Sequence, residues 1–316
     1  MEYRRLGHSG LKVGAVGLGT WLNFGGHLGD REASQIVRRA LEGGVNLIDT
    51  ADVYADGKAE EQLGRVLEGV RRESYVLATK AFFPTGPGPN DKGLSRKHLF
   101  ESAHASLRRL RTDYVDLFQC HRPDPETPVE ETVRAFDDLI RQGKVLYWGV
   151  SLWPAMRIEE AVAAAKELGA AAPVSEQPPF SLLNREIEAE VVPACKRYGL
   201  GILPFSPLAQ GVLTGKYLEG TRPEDSRAAD PRRNQFMHKY LGEQQLRKVA
   251  KMRDLARAAG MPMARLALAW VLSNPVVASV LVGVTTEAQL AENLAAAGTK
   301  LDRGVKAELD RLFAPA

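Results

Sequence analysis

The chain of 316 residues has only two cysteines, Cys120 and Cys195. Two cysteines cannot make a disulfide framework, so a reducing compartment is expected. No apolar run approaches the ~20 residues of a membrane span. The first residues, MEYRRLGHSGLKVG, lack the apolar core of a signal peptide, and the cytoplasm is the expected location. Charge of either sign is not in excess. The net value is +3, and no dense Lys/Arg run marks a nucleic-acid surface. The pair Arg232–Arg233 reads as a solvated loop. No CxxC or HExxH motif is present, so no metal site is expected.

What is present is an alternation. Candidate strands fall at 15–20, 45–50, 75–80, 114–121, 145–151, 173–177, 200–206 and 278–284. Between them lie amphipathic segments with recognisable ends. Asp30 reads as the cap of a helix ended by Gly43, and Ser95 as the cap of 96–110. Pro128, Pro154 and Pro262 mark first helical turns, and Gly143 stops the helix that Pro128 begins. Eight β/α units in one chain of this length predict a closed (β/α)₈ TIM barrel, an α/β fold forming a single domain over 1–316. The surplus residues are expected as an N-terminal β-hairpin around His8-Ser9-Gly10, a long loop after strand 7 (214–242) and an extra C-terminal helix (304–313). An open doubly wound sheet is the rival. Its glycine fingerprint is incomplete here, since Gly17-Leu18-Gly19 runs on into Thr20-Trp21.

In such a barrel the chemistry lies at the C-terminal strand ends. The second strand ends on Asp49, with Tyr54 in the loop beyond. The third ends on Lys80, the fourth on His121, the fifth on Ser151 and the sixth on Glu176-Gln177. Strand parity puts Val76, Ala78 and Lys80 on one face, and Leu117, Gln119 and His121 on one face. Cys120 has the opposite parity and should meet the helices as a small hydrophobe. A lysine beside a tyrosine favours the phenolate, and an aspartate can hold that lysine in place. A histidine at the same mouth can hydrogen-bond a substrate oxygen. This set can protonate an oxygen that is gaining charge, as in carbonyl reduction. No side chain donates hydride, so a nicotinamide is required.

The segments VGLGTW (16–21), DTADVY (49–54), ATK (78–80), FQCHRPD (118–124), WGVS (148–151), SEQPPFSLLNR (175–185), FSPLAQGVLTGKY (205–217) and VGVTTEAQLAENL (282–294) span nearly the whole chain. With them the sequence resembles the aldo-keto reductases. It is most similar to the branch holding bacterial general stress reductases and potassium-channel β-subunits, which shares the FSPLAQGVLTGKY type of segment. The resemblance implies a catalytic tetrad of Asp49, Tyr54, Lys80 and His121, with Tyr54 as the acid and Lys80 depressing its pKa. It also implies NADPH or NADP⁺ lying across the barrel mouth. Gly19, Thr20, Trp21 and Asp49 would sit near the nicotinamide, whose carboxamide Ser151 and Gln177 would hold and on whose ring Phe205 would stack. Ser206, Pro207, Leu208, Gln210 and Gly211 would line the pyrophosphate. Lys216, Arg227, Thr285 and Gln289 would meet the adenosine phosphate, with Glu292 and Asn293 at the adenine. Gly283 belongs to the same cofactor set.

The resemblance carries a second function, since channel β-subunits commonly have asparagine at the last tetrad position. The histidine here, His121, favours a working enzyme over a non-catalytic NADP(H)-binding regulatory subunit of a channel or transporter. From the fold alone, Lys80 could instead form a Schiff base. Other motifs fail on spacing. Gly211 to Lys216 is one residue short of a P-loop, and Gly149-Val150-Ser151-Leu152-Trp153 lacks the closing glycine of a nucleophile elbow. His98 and His104 read as a solvated helix face. Trp21, Phe24, Phe82, Phe83 and Trp153 predict an aromatic pocket for a small carbonyl substrate with an apolar tail.

Overall fold

The computed structural model describes every residue except Asp225, Arg232 and Ala316. Strands β1 (Tyr3–Arg5) and β2 (Lys12–Gly14) form an antiparallel hairpin. Eight further strands follow, all paired in parallel. They are β3 (Val16–Gly19), β4 (Leu47–Asp49), β5 (Val76–Ala81), β6 (Val115–Cys120), β7 (Val145–Val150), β8 (Ser175–Glu176), β9 (Gly201–Ile202) and β10 (Val280–Val282). Ladders run from β10 through β3 to β9 in order. The ring then closes. Ile202 donates to the Val276 carbonyl, Ala278 to that of Ile202 and Leu281 to that of Pro204, each at 2.9 Å. All eight expected strands are therefore found, in a (β/α)₈ barrel.

β8 and β9 are shorter than the strands expected at 173–177 and 200–206. Pro173, Pro178 and Pro179 flank β8, and Pro204 and Pro207 follow β9. Proline has no N–H to donate to a ladder, so regular pairing stops there. The chain continues extended, with only isolated bridges at Pro179–Phe205 and Phe205–Leu281.

Helices α1 (Asp30–Glu42), α2 (Lys58–Val66), α3 (Arg96–Leu110), α4 (Val129–Arg141), α5 (Ala155–Leu168) and α6 (Val191–Tyr198) each connect one strand to the next. Then come α7 (Glu243–Ala258), α8 (Met263–Leu272), α9 (Glu287–Leu294) and α10 (Arg303–Leu312). Ser95 caps α3, its hydroxyl accepting from the His98 N–H at 3.3 Å. Asp30 does not cap α1. Gly29 holds the cap position, and the Asp30 carboxylate is taken by Arg65 and Gln62 at 2.9 Å. Pro128, Pro154 and Pro262 sit immediately before their helices, where the missing N–H is not needed. The segment 214–242 carries short 3₁₀ turns. No single helix among the described residues is long and apolar enough to cross a membrane.

Two apolar cores follow from strand parity. The larger lies between strands and helices and includes Phe118, Cys120, Phe136 and Trp148, with the last two rings stacked at 4.6 Å. The smaller fills the barrel with Leu47, Val76, Ala78, Leu117, Leu203 and Leu281. Leu6 and Val13 of the hairpin pack onto it from the N-terminal strand ends. The tight fit there is set by backbone. A Cβ on Gly7 (φ +58°) would lie 2.1 Å from the Gly199 carbonyl oxygen. The barrel is thus plugged below, and the strand ends carrying polar groups face the open side.

Candidate active site

At that open end, parity delivers the expected side chains to one place. Lys80 is fully buried, and its ammonium donates to Asp49 Oδ2 at 2.6 Å and to the Thr50 carbonyl at 2.7 Å. The same nitrogen lies 3.3 Å from the Tyr54 hydroxyl. Tyr54 meets His121 edge-on, with ring centroids 5.7 Å apart. The other Asp49 oxygen, Oδ1, accepts from Gln177 Nε2 at 2.9 Å and from Gln119 Nε2 at 3.4 Å. Gln119, two residues before the strand end at His121, is a further member of this network. Its parity with His121 was the available signal.

The electrostatics follow from burial. Desolvation pushes the Tyr54 phenol above its usual value, and the Lys80 charge opposes that push. Lys80 thus acts on the phenol in the expected downward sense, but burial is the larger influence and the phenol stays protonated at neutral pH. For Lys80 burial acts downward, but Asp49 and Tyr54 outweigh it and hold the ammonium charged. His121 is pushed well below its ordinary range by burial and by the charges of Lys80 and Arg122, so its imidazole is neutral. Its Nδ1 is buried without a hydrogen-bond partner.

Above these groups opens a cavity of about 1080 Å³, large for a small-molecule site. Tyr54, Asp49 and His121 line it, and Lys80 lies beneath. Of the expected cofactor residues only Thr20 is absent from the walls. It is fully buried, and its hydroxyl has no partner. Two others are engaged within the protein. The Ser151 hydroxyl donates to the Gln177 carbonyl at 2.7 Å, and the Gln177 amide is held by Asp49. Ser206, Gln210 and Gly211 all take positive φ (53°, 60° and 90°), which folds this segment into a tight cradle. A Cβ on Gly211 would lie 3.2 Å from Lys216 Cε. Arg227 donates to Gln210 Oε1, and burial together with the neighbouring Arg233 lowers its guanidinium to about 10. Thr286 caps α9, accepting from the Gln289 N–H at 3.2 Å, while the Thr285 N–H donates to Gln289 Oε1 at 2.9 Å.

Several expectations about the surroundings are corrected. Trp153 and Phe82 do not line the cavity. Trp153 is buried in the strand–helix core, and Phe82 packs against that core and edge-on to Phe83. Phe236 takes their place, its ring 5.0 Å from that of Trp21. His98 is buried beside Ser102 at 3.3 Å rather than solvated. Arg233 is buried and reaches Asn23 at 3.2 Å, so the solvated-loop reading fails for it, while Arg232 lies outside the described residues.

Glu176 is buried on the helix side of β8, and desolvation raises its carboxyl to about 8 from an ordinary 4.5. A folded value above the unfolded one means that stability is lost as pH rises between the two. Glu176→Gln is therefore expected to stabilise the protein by on the order of 1–3 kcal/mol at pH 8 and by little near pH 4.5. Urea titrations at both pH values read this, and an equal effect at both would refute the assignment.

Residues 15–314 match the family model described as "Aldo/keto reductase family". The chain belongs to that family. Two similar proteins, one from Arabidopsis thaliana and one from Oryza sativa subsp. japonica, each bear the name "Probable voltage-gated potassium channel subunit beta". Each is 46% identical over 299 residues, covering 94% of this chain and 91% of the relative.

Proposed function

We propose that the protein is an NADPH-dependent reductase of aldehydes or ketones. What carries this reading is the Tyr54 hydroxyl, 3.3 Å from a buried ammonium and facing a large cavity beside a neutral imidazole. The residues fit the absent nucleotide. At the Gln210 end of the cavity, Lys216 and Arg227 are cations with no carboxylate partner among the described residues, which suits phosphate. Phe205 and Trp21 offer ring faces at the other end. When bound, the nicotinamide supplies hydride. His121 orients the carbonyl oxygen, and Tyr54 Oη delivers the proton to it. Lys80 stabilises the phenolate left behind, and Asp49 holds Lys80.

The test is oxidation of NADPH over a panel of aldehydes and ketones, repeated with Arg227→Met. Turnover is expected with the wild type. Loss of the Arg227 guanidinium is expected to weaken NADPH about 10-fold or more while leaving NADH less affected, as removal of a charge-assisted bond does. Tight NADPH binding without turnover of any carbonyl would overturn the reductase reading. The names of the two relatives favour a second reading, a nucleotide-binding regulatory subunit of a channel. That outcome would move it to first place.

A further inference from the structure

We propose that the cavity takes carbonyl compounds bearing a carboxylate close to the C=O, and that Arg122 binds that carboxylate. The inference rests on the reductase reading and narrows its substrate class. Arg122 directly follows His121 and lines the cavity with Tyr54 and Phe83. It is half-buried. Its Nη1 donates to the His121 carbonyl at 2.5 Å, and its guanidinium carbon lies 5.1 Å from the centre of the Phe83 ring. Neither partner is an anion.

The acids near it are already occupied. Asp49 is held by Lys80 and Gln177. Asp124, two residues on, accepts from the backbone of Leu94 and Glu126 and from the Thr127 hydroxyl. Glu176 is buried and protonated at neutral pH. Arg122 thus forms no ion pair among the described residues, although burial already disfavours its charge. A cation withdrawn from water without a counter-charge is costly, and it keeps its charge because arginine does not deprotonate in this pH range. The planar fork of arginine matches a carboxylate through two parallel N–H···O bonds.

Placement ties this site to the chemistry. The Arg122 charge acts on both Tyr54 and His121, the two groups that face the carbonyl oxygen. A carboxylate on Arg122 therefore belongs near the reacting C=O, with the Phe83 ring left as an apolar wall for the rest of the molecule. The reaction balances without involving the carboxylate. Hydride passes from the reduced nicotinamide nucleotide to the carbonyl carbon as the C=O π pair moves to oxygen. The Tyr54 proton then completes the hydroxyl. The products are a hydroxy acid and the oxidised nucleotide.

The experiment compares phenylglyoxylate and 4-oxobutanoate, each beside its methyl ester, in the wild type, Arg122→Met and Arg122→Lys. Intrinsic reactivity cancels when the acid-to-ester ratio of kcat/KM is compared between proteins. For at least one pair this ratio is expected to fall about 10-fold or more in Arg122→Met, mainly through KM, as loss of a charge-assisted bond does. Arg122→Lys should recover part of it, keeping the charge without the fork. Calorimetry with mandelate and methyl mandelate supplies a readout independent of turnover. Wild type loaded with NADP⁺ should prefer mandelate, and Arg122→Met should lose the preference. An unchanged ratio for both pairs with mandelate binding undiminished in the variant overturns the proposal and leaves the reductase reading intact. If no protein reduces any carbonyl, the reductase reading fails, and mandelate binding alone decides the anion site. Dependence on Arg122 supports it, and absence of binding in the wild type overturns it.

Discussion

Tyr54→Phe is expected to lower kcat for carbonyl reduction by roughly 10²–10⁴, the span usual for a positioned general acid. The substitution removes one oxygen and keeps the ring, which meets His121 edge-on. Nucleotide affinity and thermal midpoint should therefore hardly move. The loss should fall on kcat and on kcat/KM together, because the proton is delivered only as charge develops on the oxygen. The pH profile supplies the second half of the expectation. Burial raises the phenol and Lys80 restrains the rise, so the acid form persists through neutral pH. Reduction should decline only on the alkaline side as the phenol ionises, and alcohol oxidation should gain there, since it needs the phenolate. A Tyr54→Phe protein that keeps more than about a tenth of wild-type kcat would remove Tyr54 from the proton path.

Lys80→Met should cost activity and stability together. The ammonium is completely buried and bonded to Asp49 at 2.6 Å. Removing one partner of a buried pair leaves the other charge without compensation, at a cost of about 3–5 kcal/mol. Asp49 would retain the two glutamine amides, which places the expected loss toward the lower end. Adding Asp49→Asn removes the stranded charge, and the double variant should recover part of the lost stability but none of the turnover. Urea denaturation of the wild type, Lys80→Met, Asp49→Asn and the double variant gives the coupling energy. A single variant as stable as the wild type would mean that the pair contributes nothing net to the fold.

The sequence made the strand ends legible because a barrel strand must alternate between two apolar environments. Val76, Ala78 and Lys80 share the interior side, and only at the open end can that side finish on a charge. Cys120 was assigned to the helix side by the same alternation and is found there. Loops obey no such period. Trp153 follows Leu152, whose positive φ of 56° turns the chain, and its indole packs into the core. Nothing in WGVSLW states that turn. Phe236 was invisible for the same reason, being delivered to Trp21 by a loop of 3₁₀ turns rather than by a ladder. His98 was misjudged by its chemistry. Helical spacing lets Ser102, one turn on, hydrogen-bond His98 Nε2 at 3.3 Å, and that makes burial tolerable.

The hairpin that plugs the barrel also bears on how the chain acquires its shape during synthesis. Arg4 donates to the carbonyls of Leu272 and Val277, across sequence separations of 268 and 273. Val16 of β3 pairs with Val280 of β10. Arg4 and Val16 are therefore made long before their partners exist. Until then β3 presents an unpaired edge, the kind of surface on which nascent chains associate wrongly. Ring closure between such distant segments is entropically slow. The step that seals the barrel should thus be late.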